Sequence, residues 1–300
     1  MTKVVFVLVP GVHLLDLAGP AQVFSSAADL DCGYALSYVG DSDTVPSHQG
    51  VPLGVSVELP SLEVDDLVFV PGWRSPRIAG TGHLSERALA WLRAHHDNGG
   101  TVASVCAGAD VLGRTGLLDG RRCTTHHELQ DELTRRYPSA HVVRDVLYVE
   151  DNRVVTSAGI ASGIDLALHL VAVRHGPAVA AAIARTMVIY ARRNGDDQQA
   201  SVLLRHRSHV NETVHRIQDV IETRLTDRLS LAELAVHVGC SERTVTRLFS
   251  RATGMTPLKY QQALRLERAE HLIGQGATVE TAARTVGFED ARMLRRLRSR

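Results

Sequence analysis

TVASVCAGADVLGRTGLL, residues 101–118, decides the reading of the first part of this 300-residue chain. Thr101–Val105 is a short run of strand-forming residues, and from Ala107 to Leu117 the apolar spacing becomes helical. Cys106 therefore stands where a strand turns into a helix. That is the nucleophile-elbow arrangement, with Cys in place of Ser and Ser104 in place of the first Gly. A thiol at a helix N-terminus meets backbone N–H groups and the positive end of the dipole, so its pKa is expected to fall. The competing reading is the ordinary one, a buried cysteine packing as a small hydrophobe. Cys32, Cys123 and Cys240 have no such context and read as packing residues. The four cysteines form no CxxC pair, which argues against a disulfide framework or a zinc site.

Outward from this elbow, short apolar runs alternate with helical patterns. Lys3–Val9, Tyr34–Val39, Asp66–Val70, Val146–Val149 and Arg153–Thr156 read as strands. Leu17–Leu30, Ser85–Asp97, His126–Tyr137 and Ile160–Arg174 read as helices, and Pro177 opens another at a position where a missing N–H costs nothing. Strands alternating with helices indicate an α/β domain, a mostly parallel sheet with helices on both faces. It is assigned to residues 1–191. Residues 192–210, which begin with the polar run RRNGDDQQAS, read as a linker, with Arg192 and Arg193 as a solvated helix end.

Residues 211–300 read as helices throughout and form a second, all-α domain. Ser230 and Glu233 make a capping box, Gly239 breaks that helix, and Ser241 caps the next. A similar helix–Gly–helix unit recurs about Gly287, after the long stretch Leu258–Ile273. Two helices joined by a tight turn containing Gly form a helix-turn-helix. In the first unit Val245, Leu248, Phe249 and Ala252 follow helical spacing and should pack on Leu231, Leu234, Ala235 and Val238. The opposite face carries Glu242, Arg243, Thr246, Arg247 and Arg251. The start of such a helix enters the major groove. Arg243, Thr246 and Arg247 are expected to meet bases and Arg251 a phosphate, with Ser241 and Thr244 placed for hydroxyl contacts. The competing reading is a helical bundle with a solvated basic face.

Composition fits this division. The chain has 44% hydrophobic and 22% charged residues, the profile of a globular protein. No apolar run approaches the roughly 20 residues that cross a bilayer, and Met1–Val9 does not read as a signal peptide, so a cytoplasmic location is expected. Formal charge is balanced at 33 Lys+Arg and 33 Asp+Glu, but residues 211–300 hold 15 basic against 11 acidic. That asymmetry suits a polyanionic partner. No GxGxxG opens a helix, so no dinucleotide or other cofactor is expected. Gly72 and Gly99-Gly100 read as turn glycines. His95-His96, His126-His127, His206 and His209 lack metal-ligand spacing and read as surface and capping residues.

Residues 229–273 (LSLAELAVHVGCSERTVTRLFSRATGMTPLKYQQALRLERAEHLI) and 278–290 (TVETAARTVGFED) resemble the AraC/XylS regulators. Members of that family continue with a Phe-Gly-x-x-Pro-x-x-Tyr-Arg segment beyond the point where this sequence reaches Arg300. On that comparison the second unit is expected to lack its last packing helix, leaving Arg292, Arg295, Arg296, Arg298 and Arg300 to hold phosphates. The first domain resembles the ThiJ/PfpI branch of the class I amidotransferase-like superfamily, a flavodoxin-like fold. The carrying segments are PGVHLLDLAGPAQVF (10–24), VPGW (70–73), SVCAGADVLGRTGLLDGRRCTTHH (104–127) and VVTSAGIASGIDLALHLV (154–171). The resemblance implies a cleft holding Cys106, an acid at Asp16 and the Thr124-Thr125-His126 element. Such a set suits attack on a carbonyl or cyano carbon, and equally the binding of a small polar ligand.

Together the two parts resemble the GlxA-type regulators. The resemblance implies a homodimeric, sequence-specific DNA-binding transcriptional regulator whose first domain binds an effector or dimerises. The alternative is a cysteine-dependent enzyme, similar to isonitrile hydratases, that uses Cys106.

Overall fold

The computed structural model describes residues 1–74, 84–189, 193–197, 199, 202, 206–207, 209–274 and 276–298. Internal contacts divide the chain into two compact units, residues 1–199 and 200–300.

The first unit is built on a six-stranded sheet of order β2-β1-β5-β6-β10-β9. Its strands are β1 (Thr2–Val7), β2 (Tyr34–Val39), β5 (Leu67–Val70), β6 (Thr101–Val105), β9 (Tyr148–Asp151) and β10 (Val154–Ser157). All pairings are parallel except β9 with β10. The β9–β10 hairpin turns through Asn152 and Arg153 at φ 47° and 63°, the left-handed pair that a two-residue hairpin requires. Helices α1 (Leu14–Ala28), α2 (Glu86–Asp97), α3 (Ala109–Arg114), α4 (Gln130–Arg136), α5 (Ser162–His175) and α6 (Pro177–Thr186) complete the unit. Val4, Val5, Phe6 and Val7 of β1 and Leu67–Val70 of β5 are wholly buried, as strands of a parallel sheet with covered faces are. Gly19 of α1 lets α5 approach closely: a Cβ there would stand 2.8 Å from Ile164.

Two small pairings fall outside the strands expected from sequence. They are β3 (Thr44–Pro46) with β4 (Pro52–Gly54), and β7 (Arg122–Cys123) with β8 (His141–Val142). Segments of two or three residues carry no periodicity to read.

Two expectations are corrected by the packing of this unit. His95 and His96 are buried on α2, each ring bonded to a backbone carbonyl, of Asp66 and Asn152 respectively. They point inward because α2 packs on β6, and Gly100 leaves the room that the His95 ring fills. Arg193 is no solvated end: its guanidinium pairs with the buried carboxylate of Asp165. Arg192 lies outside the described residues, as do 198, 200–201, 203–205 and 208 of the expected linker. Gln199 still belongs to the first unit, its side chain donating to the carbonyls of Thr125 and Val146.

The described part of the second unit contains α7 (Glu212–Thr223), α8 (Leu231–Val238), α9 (Glu242–Thr253), α10 (Pro257–Gly274), α11 (Val279–Thr285) and α12 (Ala291–Arg298). The capping box of Ser230 and Glu233 is formed in both directions. Gly239, left-handed at φ 68°, ends α8. Two separate apolar clusters hold the unit. Val214, Ile217, Ile221, Leu234, Ala235, Val245, Phe249, Tyr260 and Leu264 belong to the first, with Leu231, Val238, Leu248 and Ala252 packed against it. That is the α8–α9 packing expected from spacing. Ala269, Ala282, Ala283, Val286, Phe288 and Leu294 form the second. Helix α10 contributes to both.

Candidate functional site

Cys106 follows β6 at φ 55°, a left-handed backbone rare outside glycine and a form of strain concentrated at functional sites. Three glycines make room at the elbow where a side chain would not fit. A Cβ on Gly108 would stand 2.1 Å from the Val70 carbonyl, and one on Gly159 would stand 2.3 Å from Cys106 Cβ. A Cβ on Gly72 would meet Asp16 Oδ2 at 2.5 Å and Cys106 Cβ at 2.7 Å. Gly72 is thus more than a turn glycine, because its bareness lets Asp16 and Cys106 adjoin.

Asp16 sits in the first turn of α1 and is fully buried. Its Oδ1 accepts the Ile160 amide at 2.7 Å, while the carboxylate also faces the Gly72 amide and the Cys106 thiol, both of which favour its ionised form. Burial raises its pKa from 3.8 to about 6. The Cys106 thiol is pushed up as well, first by burial and then by the charge of Asp16. This reverses the expectation of a depressed pKa. The Ala107 amide does favour the thiolate, but only a 3₁₀ turn and the six-residue α3 follow Cys106. Loss of water and a buried carboxylate outweigh so short a dipole.

The Thr124-Thr125-His126 element divides. Thr125 Oγ1 donates to the Cys106 carbonyl at 2.7 Å, and Thr124 Oγ1 to Val143. His126 turns to its own chain: its Nδ1 caps the next helical turn by accepting from Glu128 N. The ring lies against His127 at 4.2 Å between centroids. Among the described residues no hydrogen bond or ion pair joins it to Cys106 or Asp16. The structure brings the thiol and the acid together and leaves the imidazole apart. Gly72, Gly159 and the Ile160 amide were missed as parts of this site, since only the folded backbone shows their approach.

In the second unit α9 is capped by Ser241, whose Oγ accepts from Thr244 N and bonds Thr244 Oγ1. Val245 and Phe249 are fully buried. Arg243, Arg247 and Arg251 lie on the exposed side, and none is held by an ion pair or hydrogen bond among the described residues. Thr246 is half-buried between them. The corresponding arginines of α12 are engaged. Arg295 pairs with Glu280, Arg298 with Glu270 at 2.8 Å and Arg292 with Asp290 at 3.8 Å. Arg296 contacts Met293 Sδ. Arg300 lies outside the described residues.

A parallel α/β domain with a cysteine at its strand–helix elbow, followed by two helix-turn-helix units, is the make-up of a DNA-binding regulator with an amidotransferase-like domain. The comparisons with known proteins agree. Residues 2–173 match the DJ-1/PfpI family and residues 234–300 a helix-turn-helix domain. The chain belongs to the DJ-1/PfpI family. It is 30% identical over 289 residues to the HTH-type transcriptional regulator CdhR of Pseudomonas aeruginosa, a match covering 95% of this chain and 84% of that one. It is 36% identical over 167 residues to an isonitrile hydratase of Pseudomonas putida, covering 55% of this chain and 68% of the hydratase. In fold it resembles the crystal structure of an AraC family transcriptional regulator from Pseudomonas putida, with TM-score 0.55 and 22% identity, over 62% of this chain and 100% of that one.

Proposed function

We propose that this regulator reads specific DNA sequences through α9, with Arg243, Thr246 and Arg247 on base edges and Arg251, Ser241 and Thr244 on the backbone. The observation that carries the reading is the face of α9 itself, where three arginines stand exposed, and unpaired among the described residues, opposite the buried Val245 and Phe249. Arginine offers guanine a bidentate fork, and the opening turn of a recognition helix is what reaches base edges. Arg292 and Arg295 of α12 supply phosphate contacts after exchanging their carboxylate partners, with Arg296 beside them.

The cleft at Cys106 and Asp16 binds a small polar effector, and the protein acts as a GlxA-type homodimer in the cytoplasm. An effector changes DNA affinity only if it binds two conformations unequally, with residues 192–210 as the connection that carries the change. The test is binding of the full chain to genomic fragments at graded salt, with and without metabolite extract. Selective retention of a few fragments is expected, and equal retention of all of them overturns the reading.

A second reading rests on Asp16, whose buried carboxylate faces the Cys106 thiol. A carboxylate so placed could take the Cys106 proton during attack on a carbonyl or isonitrile carbon. Turnover of an isonitrile to its formamide, lost in Cys106→Ala with DNA binding unchanged, would establish it.

A further inference from the structure

The two helix-turn-helix units have separate apolar cores, and α10 runs through both. Leu264 belongs to the first cluster, while Ala269 belongs to the second and Leu266 packs against it. A single shared helix leaves the second unit free to swing and twist unless something else ties it down. Arg265 stands between those residues. Its Nε donates to the Leu225 carbonyl at 2.7 Å and one terminal nitrogen to the Asp227 carbonyl at 2.7 Å. The other terminal nitrogen donates to the Gly287 carbonyl at 2.8 Å. Leu225 and Asp227 lie in the loop between α7 and α8 of the first unit. Gly287 is the turn between α11 and α12 of the second. The guanidinium also lies 5.8 Å from the centroid of the Phe288 ring.

The contact is close as well as bonded. At Gly287, φ 85°, a Cβ would stand 2.3 Å from the Thr226 carbonyl oxygen. The second turn therefore rests directly on the first unit's loop. Gln261, one helical turn before Arg265, bonds the same Leu225 and Asp227 carbonyls. A planar fork that meets three carbonyls at once fixes orientation in a way that the point charge of lysine does not.

We propose that the Arg265–Gly287 junction sets the spacing of α9 and α12, so that the protein recognises the distance between two DNA half-sites as well as their sequences. Arg265 is a positioning residue: it acts through the two reader helices and touches no base. The inference rests on the proposed DNA reading, and the experiment separates the two.

The full chain, its Arg265→Lys variant and its Gly287→Ala variant are each used to select from a random-sequence duplex library. The gap between enriched motifs and the affinity for each motif are then measured. Wild type is expected to enrich two motifs at a single gap on the order of one helical turn, about 10 base pairs. Arg265→Lys is expected to enrich the same motifs with the gap spread over several base pairs. Its affinity for the wild-type composite should fall about tenfold, because the second contact loses effective concentration. Its affinity for the α9 motif alone should stay as in wild type, a readout that a misfolded domain would lose. Gly287→Ala, which crowds Thr226 and displaces the carbonyl that Arg265 bonds while keeping the arginine, should spread the gap in the same way. If Arg265→Lys keeps the single gap at wild-type affinity, or loses the α9 motif itself, the junction proposal is wrong. A wild type that enriches one motif without a spaced second also overturns it. No enrichment at all overturns the DNA reading.

Discussion

Asp16 and Cys106 adjoin across the bare backbone of Gly72, where a Cβ would stand 2.5 Å from Asp16 Oδ2 and 2.7 Å from Cys106 Cβ. Burial opposes the ionisation of both groups, and the charge of Asp16 opposes that of the thiol further, whereas the thiol's hydrogen bond favours the carboxylate. Asp16 holds its proton more tightly because it is buried, and Cys106 because it is buried beside Asp16.

The first consequence is a slow thiol. Thiolate is the nucleophile in alkylation, and Cys106 is held in its protonated form by burial and by Asp16. Iodoacetamide at pH 8 should label Cys106 at least about tenfold more slowly than free cysteine. Asp16→Asn should speed labelling without restoring the free rate, because burial, the larger cause, remains. Peptide mass spectrometry over a time course reads both rates. Fast labelling of wild type at neutral pH would place a thiolate in the cleft.

Asp16→Asn should also stabilise the protein, in one pH range only. The folded-state pKa of Asp16 is about 6 against an ordinary 3.8, so the folded chain binds this proton more tightly than the unfolded chain. That contribution is fully present below about pH 4 and is lost as pH rises through about 6. Asparagine carries no charge to bury and keeps an oxygen for the Ile160 amide. The variant should therefore exceed wild type by up to about 3 kcal/mol at pH 7.5, with the difference shrinking toward pH 4. Urea unfolding of the first unit at the two pH values measures it. A deficit at pH 7.5 would mean that the bonds of the Gly72 amide and the Cys106 thiol to the ionised carboxylate outweigh the cost of burying its charge.

Gly159→Ala should disrupt the elbow from the opposite side. The residue has φ 103°, and its added Cβ would lie 2.3 Å from Cys106 Cβ and 2.9 Å from Cys106 Cα. Both the backbone conformation and the space oppose a side chain. A loss of about 2 kcal/mol or more is expected, with increased access to Cys106. Thermal melting and alkylation of the same variant check the two effects together.

The elbow, the parallel strands and the first helix-turn-helix were legible because each is written locally. Strand gives way to helix about Cys106, apolar runs alternate with amphipathic ones, and Ser230 and Glu233 announce a helix start. The chemistry of the cleft was not local. Asp16 bonds an amide 144 residues away, and the direction of the Cys106 shift depends on water excluded by Gly72 and Gly159. His126 and Cys106 sit in one motif-rich stretch, yet the imidazole is spent on capping the turn that follows it. His95 and His96 look like a surface pair until the sheet beneath α2 is known. Arg265 carries no signal in spacing, since its three acceptors are backbone carbonyls.

On α9, Arg247 and Phe249 should separate reading from folding. Arg247 is exposed and makes no bond among the described residues, whereas Phe249 is fully buried against Tyr260. Arg247→Ala should leave the melting of the second unit unchanged within about 0.5 kcal/mol. It should cost about 1–3 kcal/mol in binding to selected DNA and relax preference at one base position. Arg251→Ala, lacking a base contact, should weaken binding to all sequences about equally and lower the salt slope by about 1. Phe249→Ala removes the anchor of the first apolar cluster and should cost about 3–5 kcal/mol of stability, taking DNA binding with it. Equilibrium titration at three salt concentrations, beside thermal melts of each variant, distinguishes the three. If Arg247→Ala and Arg251→Ala both leave affinity and salt slope as in wild type, the basic face of α9 does not meet DNA.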